Sequence, residues 1–80
     1  MPRQQPPAGY VNIHEVCHRC GEQAQYVSRY VGGRHGSPNL GEGLRFLGDP
    51  TDYHFLLIHE DDVEEFARRV DAYMREIRLR

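Results

Sequence analysis

The sequence predicts a small α+β domain: a mainly antiparallel sheet in ββ–loop–ββ order with one C-terminal amphipathic helix. Three observations carry this. Between residues 10 and 59, short runs rich in β-branched and aromatic residues alternate with turn formers, as strands do. A glycine-rich stretch, residues 32–43, splits these runs into two pairs. From Val63 to Ile77 the apolar residues instead recur at spacings of three and four, the period of a helix.

Met1 to Gly9 carries Pro2, Pro6 and Pro7 among polar residues. Proline fixes φ and lacks an amide proton, so residues 1–9 are expected to be a flexible tail and residues 10–80 a single domain. Tyr10 to Val16 (YVNIHEV) reads as the first strand, with Val11 and Ile13 on one face. Ala24 to Val31 (AQYVSRYV) reads as the second, since Tyr26, Val27, Tyr30 and Val31 favour strands. Ala24, Val27 and Val31 also fit helical spacing, with Gly32 as a C-cap, so a helix is the alternative there. Five glycines and one proline in residues 32–43 make that stretch a loop. Leu44–Leu47 and Tyr53–His59 then form a hairpin about Gly48-Asp49-Pro50-Thr51-Asp52, with Asp49 closing the turn. The unbroken apolar run Phe55-Leu56-Leu57-Ile58 marks the later strand as central and covered on both faces.

In the last segment Val63, Phe66, Ala67, Val70, Tyr73, Met74 and Ile77 fall on one helical face. Asp61 and Glu64 have capping-box spacing. Acidic residues crowd the first turn, and Arg75, Arg78 and Arg80 the last, as the helix dipole favours. Glu64–Arg68, Glu65–Arg69 and Asp71–Arg75 are expected as ion pairs one turn apart on the solvent side. The apolar face needs a sheet to cover, and Phe46, Phe55, Leu57 and Ile13 are the residues expected beneath it.

Composition narrows the function. A chain of 80 residues supports one core, of a size that often depends on a metal or a disulfide. No apolar run approaches the roughly 18–20 residues that span a bilayer, and no hydrophobic leader is visible, so a cytoplasmic location is expected and a membrane partner is not. The net charge of −2 disfavours nucleic acid as a general partner, although Arg19, Arg29, Arg34 and His35 could form a local basic patch with tyrosines for stacking.

The chemistry gathers at His14-Glu15-Val16-Cys17-His18-Arg19-Cys20-Gly21, which holds both cysteines of the chain and two of its five histidines. Two thiols with two residues between them, in a reducing compartment, point to a metal ion or to redox chemistry before a structural disulfide. A Cys-x-x-Cys turn aims both sulfurs at one ion, and zinc favours tetrahedral sulfur and nitrogen ligands. The string VCHRCGEQAQY resembles the first knuckle of zinc-ribbon and rubredoxin-like proteins, in which one strand leads into C-x-x-C-G and another leads out. That resemblance implies structural zinc on Cys17 and Cys20. Those families complete the site with a second cysteine pair, and this chain has none, so other ligands are needed. The expected set is Cys17, Cys20, His35 and His14, with His54 or His59 as substitutes for the last. His18, between the cysteines, is expected to point away. A second chain contributing its own cysteine pair is the alternative.

The expected role is therefore a small zinc-binding module, not an enzyme, that acts through contact with a protein partner or as a homodimer. The first alternative is a thiol–disulfide redox protein using Cys17 and Cys20; it requires residues 24–31 to be helical and the first cysteine to sit at a helix N-terminus. The second is a nucleic-acid-binding zinc module. A hydrolase would need an open coordination position and a base such as Glu15. The glycine loop lacks the lysine and spacing of a phosphate-binding loop.

Overall fold

The computed structural model describes residues 8–78. The expected proline-rich tail therefore lies, for residues 1–7, outside the described residues. The fold is α+β, a three-stranded antiparallel sheet with three α-helices, the last one long. In chain order these are β1 (Tyr10–Asn12), α1 (His14–Cys20), α2 (Ala24–Val27), β2 (Phe46–Leu47), β3 (Leu57–His59) and α3 (Val63–Arg78). The strand order is β1-β3-β2, so β3 is the central strand, as its apolar run predicts. Val11 and Phe46 flank Ile58 across the sheet.

Two expectations for the first half of the chain are corrected. The strand predicted from Tyr10 ends at Asn12, and a helix follows from His14. Asn12 accepts the His14 amide on its side-chain oxygen at 2.9 Å, which turns the chain out of the strand. Ile13, Val16, Cys17 and Cys20 then recur as i, i+3, i+4 and i+7, the stripe that lets a short helix bury one face. Ile13 and Val16 are fully buried, and both cysteines pack at the core margin. The Cys-x-x-Cys segment is thus a helix, not the strand–turn–strand of a zinc knuckle. Gly21 ends it in the left-handed region, at φ 72°, with its amide on the Cys17 carbonyl at 2.8 Å.

The second correction is at residues 24–31, where the helical alternative holds. Ala24, Val27, Ser28 and Val31 are buried at helical spacing, α2 continues into a tighter turn over Ser28–Tyr30, and Gly32 follows with positive φ. Packing on the core overrides the strand preference of Tyr26, Val27 and Tyr30. Of Tyr10, Tyr26 and Tyr30, only Tyr10 lies on a strand. Tyr30 is buried and meets Tyr73 edge-on at 5.6 Å.

In the second half the antiparallel pairing forms, with Phe46 opposite Ile58 and Leu47 opposite Leu57, but the strands are shorter than the expected Leu44–Leu47 and Tyr53–His59. Asp49 accepts the Thr51 amide at 2.9 Å and closes the turn. The burial phase is reversed, however. Leu56 and Ile58 are fully buried, whereas Leu57 is half-buried and Phe55 is 72% exposed. Residues Tyr53–Phe55 form a tight helical turn ahead of the strand, which sets that phase and leaves the strand unequally covered on its two faces.

α3 buries Val63, Phe66, Ala67 and Val70 and packs Tyr73 and Met74 against the core, while Ile77 lies past its edge. Its largest contact is α1, and Phe66 also meets Phe46 edge-on at 5.2 Å. The predicted Asp61–Glu64 capping box is replaced. A tight turn over Glu60–Asp62 precedes the helix, and the His59 ring caps that turn by accepting the Asp61 amide at 3.1 Å. Asp62 instead holds Arg45 through two guanidinium nitrogens and its amide. Glu65–Arg69 and Asp71–Arg75 pair as expected, whereas Arg68 turns to Glu65 and Glu64 to Arg19. Arg69 also donates to the carbonyls of Leu40 and Glu42, which ties the glycine loop to α3.

Candidate metal-binding face on helix α1

The register of α1 sets what its side chains can do. With Ile13, Val16, Cys17 and Cys20 turned to the core, His14, Glu15, His18 and Arg19 take the solvent side, and all four are exposed. His14 and His18 are four residues apart. On a strand that separation is about 13 Å; on a helix it is about 6 Å along the axis, on one face. Two imidazoles in that relation can chelate one ion, as in the helical pattern His-Glu-x-x-His. This pattern stands in the sequence at His14-Glu15-Val16-Cys17-His18, and its meaning is lost when the segment is taken as a strand or knuckle. His18 is the site residue that sequence reasoning set aside.

An open cleft of about 480 Å³ runs beside this face, lined by His14, Cys17, His18, Glu22, residues 23–25, Tyr53 and His54. Three of the five histidines and one of the two cysteines therefore face one cleft. The His54 ring lies against Tyr53 at 4.4 Å, and its carbonyl accepts from the Asn12 side chain at 3.0 Å. Glu22 adds negative charge close enough to disfavour the Cys17 thiolate. The C-terminal end of α1, near His18, contributes carbonyl dipoles of the same sign. Glu15 is exposed and is not one of the residues lining the cleft.

The cysteines are free thiols held in an apolar setting. Cys17 directs its sulfur to the Ile13 carbonyl at 3.6 Å. Burial, with the neighbouring Cys20 adding to it, pushes the Cys17 thiol up to about 11, and burial raises Cys20 as well. Cys17 is the fourth residue of α1, not its N-terminus, so the dipole that activates a redox thiol is not at its disposal. Residues 24–30 are helical, as the redox alternative requires, but the placement and protonation of Cys17 run against it.

The other expected ligands stand apart from the cleft. His35 is exposed in a turn at Arg34–Gly36, 3.3 Å from the Arg34 guanidinium, and is not a lining residue. His59 is engaged as a cap and meets Tyr10 edge-on at 5.1 Å. Among the described residues no three His, Cys, Asp or Glu side chains converge as a metal ion requires, so Cys17, Cys20, His35 and His14 are not assembled into one shell. The candidate basic patch is likewise engaged piecemeal: Arg19 with Glu64, Arg29 over the Tyr26 ring, Arg34 on the Pro50 carbonyl. No helix among the described residues is long and apolar enough to cross a membrane. Compared with protein-family models, curated proteins and solved structures, the chain matches none of them.

Proposed function

We propose that this chain is a small zinc-binding module, not an enzyme, and that His14 and His18 on α1 are its primary ligands. The observation that carries this is the gathering of three of the five histidines on one cleft beside a helix that presents two of them one turn apart. Neutral imidazole suits zinc, and the carboxylate of Glu22 favours a cation there. The cysteines, by contrast, pack as small apolar residues on the core side of α1, with Cys17 at the edge where that stripe meets the cleft. A non-catalytic role is supported by Glu15, which lies outside the cleft and so is poorly placed to take a proton from a metal-bound water. The ion then acts as a fastener, for the fold or for a protein partner.

Competition for zinc against a chromophoric chelator tests the assignment. His14→Ala and His18→Ala are expected to weaken binding at least about tenfold, the minimum seen when even the outer partners of ligands are removed. His35→Asn is expected to bind as the native chain does, Asn being a residue that tolerates the positive φ of 55° at that position. Loss of binding in His35→Asn or Cys20→Ser, with His14→Ala and His18→Ala unaffected, overturns it.

A further inference from the structure

We infer that the zinc ion joins two copies of this chain, each supplying His14 and His18; this rests on the zinc reading above. Zinc in a structural site takes four protein ligands in tetrahedral array. Every His, Cys, Asp and Glu of the sequence lies within residues 8–78, and among these no three converge on one point. One chain thus offers a two-toothed chelate and lacks the other half. As the side chains stand, none of the chain's other candidate ligands converges with His14 and His18. His54 lies against Tyr53 with the rings tilted by 36°, the Cys17 sulfur is turned to the Ile13 carbonyl, and Cys20 packs at the core margin. His14 and His18 are both exposed on a helix whose opposite face is anchored by Ile13 and Val16, so they are free to reach outward without disturbing the core.

A two-fold axis through the ion is the arrangement such a half-site favours, because it uses the same pair twice and closes without leaving further ligands to find. Four neutral imidazoles around a divalent cation leave a local charge of about +2. Each chain brings a net −2 and places Glu22 beside the face, so the ion also offsets the repulsion between two acidic copies. The partner is therefore a second copy of this chain, and its docking is conditional on metal.

Native mass spectrometry of the metal-free full chain during titration with zinc chloride is the test. The expected result is a species of twice the 9.3 kDa chain mass holding one zinc, maximal at half an equivalent. His14→Ala and His18→Ala are expected to lose it and His35→Asn to keep it, with circular dichroism showing all three folded. One zinc on a single chain, with no doubling of mass, overturns the bridged pair while leaving the zinc reading intact. A dimer that forms without zinc, or persists in His14→Ala/His18→Ala, also overturns it. No zinc binding at any ratio overturns both.

Discussion

Alkylation of Cys17 gives a quantitative test of where α1 puts its thiols. Burial holds this thiol near 11 instead of the ordinary 9.0. At pH 8 that lowers the thiolate population about a hundredfold. A more basic thiolate is also the better nucleophile, with a Brønsted slope of ~0.4–0.5, and this returns a factor of roughly eight. The net expectation is that iodoacetamide modifies Cys17 about tenfold more slowly in the folded chain than in urea. Arg19 separates the two cysteines, so tryptic peptides report Cys17 and Cys20 individually in the unmutated protein. The assay is run with chelator across pH 7–11. The sign for stability follows from the same displacement. A thiol raised on folding stabilises the native state fully below its unfolded value and loses that contribution as pH climbs from about 9 through about 11. A folded-state midpoint at or below 9, or alkylation faster in the native chain than in urea, refutes the packing described for α1 and returns the redox alternative to first place.

Three further outcomes test the scaffold. A methyl group at Gly41 meets the Phe46 ring at 2.7 Å, and that ring is seated on the fully buried Phe66, so Gly41→Ala is expected to cost about 1–3 kcal/mol in urea unfolding and to be partly relieved by Phe46→Leu. His59→Ala removes the acceptor for the Asp61 amide and is expected to cost about 1 kcal/mol, or a fall in Tm of about 4–8 °C, by calorimetry. Arg45 holds the Asp62 carboxyl below its ordinary range by hydrogen bonds from its side chain and amide, so the pair's contribution is present above about pH 4 and lost as pH falls further; Asp62→Asn is expected to flatten the stability profile in that acid range, measured by urea midpoints at successive pH.

The second half of the chain was legible because two levels of the sequence agree there. In α3 propensity, apolar period and charge order all name one helix, and in the β2–β3 hairpin the turn residues mark the reversal and the paired strands fall within the apolar runs. The first half misleads because its helices are short. A seven-residue α1 and a four-residue α2 draw little from propensity and are held by burying Ile13, Val16, Ala24 and Val27, which only the assembled core rewards. The Phe55–Ile58 run has no alternation, so nothing local decides which of its residues turn inward. The candidate site was half legible. The segment that carries it, and His14 within it, were evident from the cysteines and histidines, but His18 reads as pointing away between two cysteines, and its spacing from His14 has meaning only once the backbone is helical.

The most direct measurement follows the five histidine ring signals by NMR while zinc is added to the metal-free protein. The rings of His14 and His18 are expected to shift first and together, with His35 and His59 unmoved. Early shifts at His35 or His59, or movement of neither His14 nor His18 as zinc binds, contradict the assignment of the ion to α1.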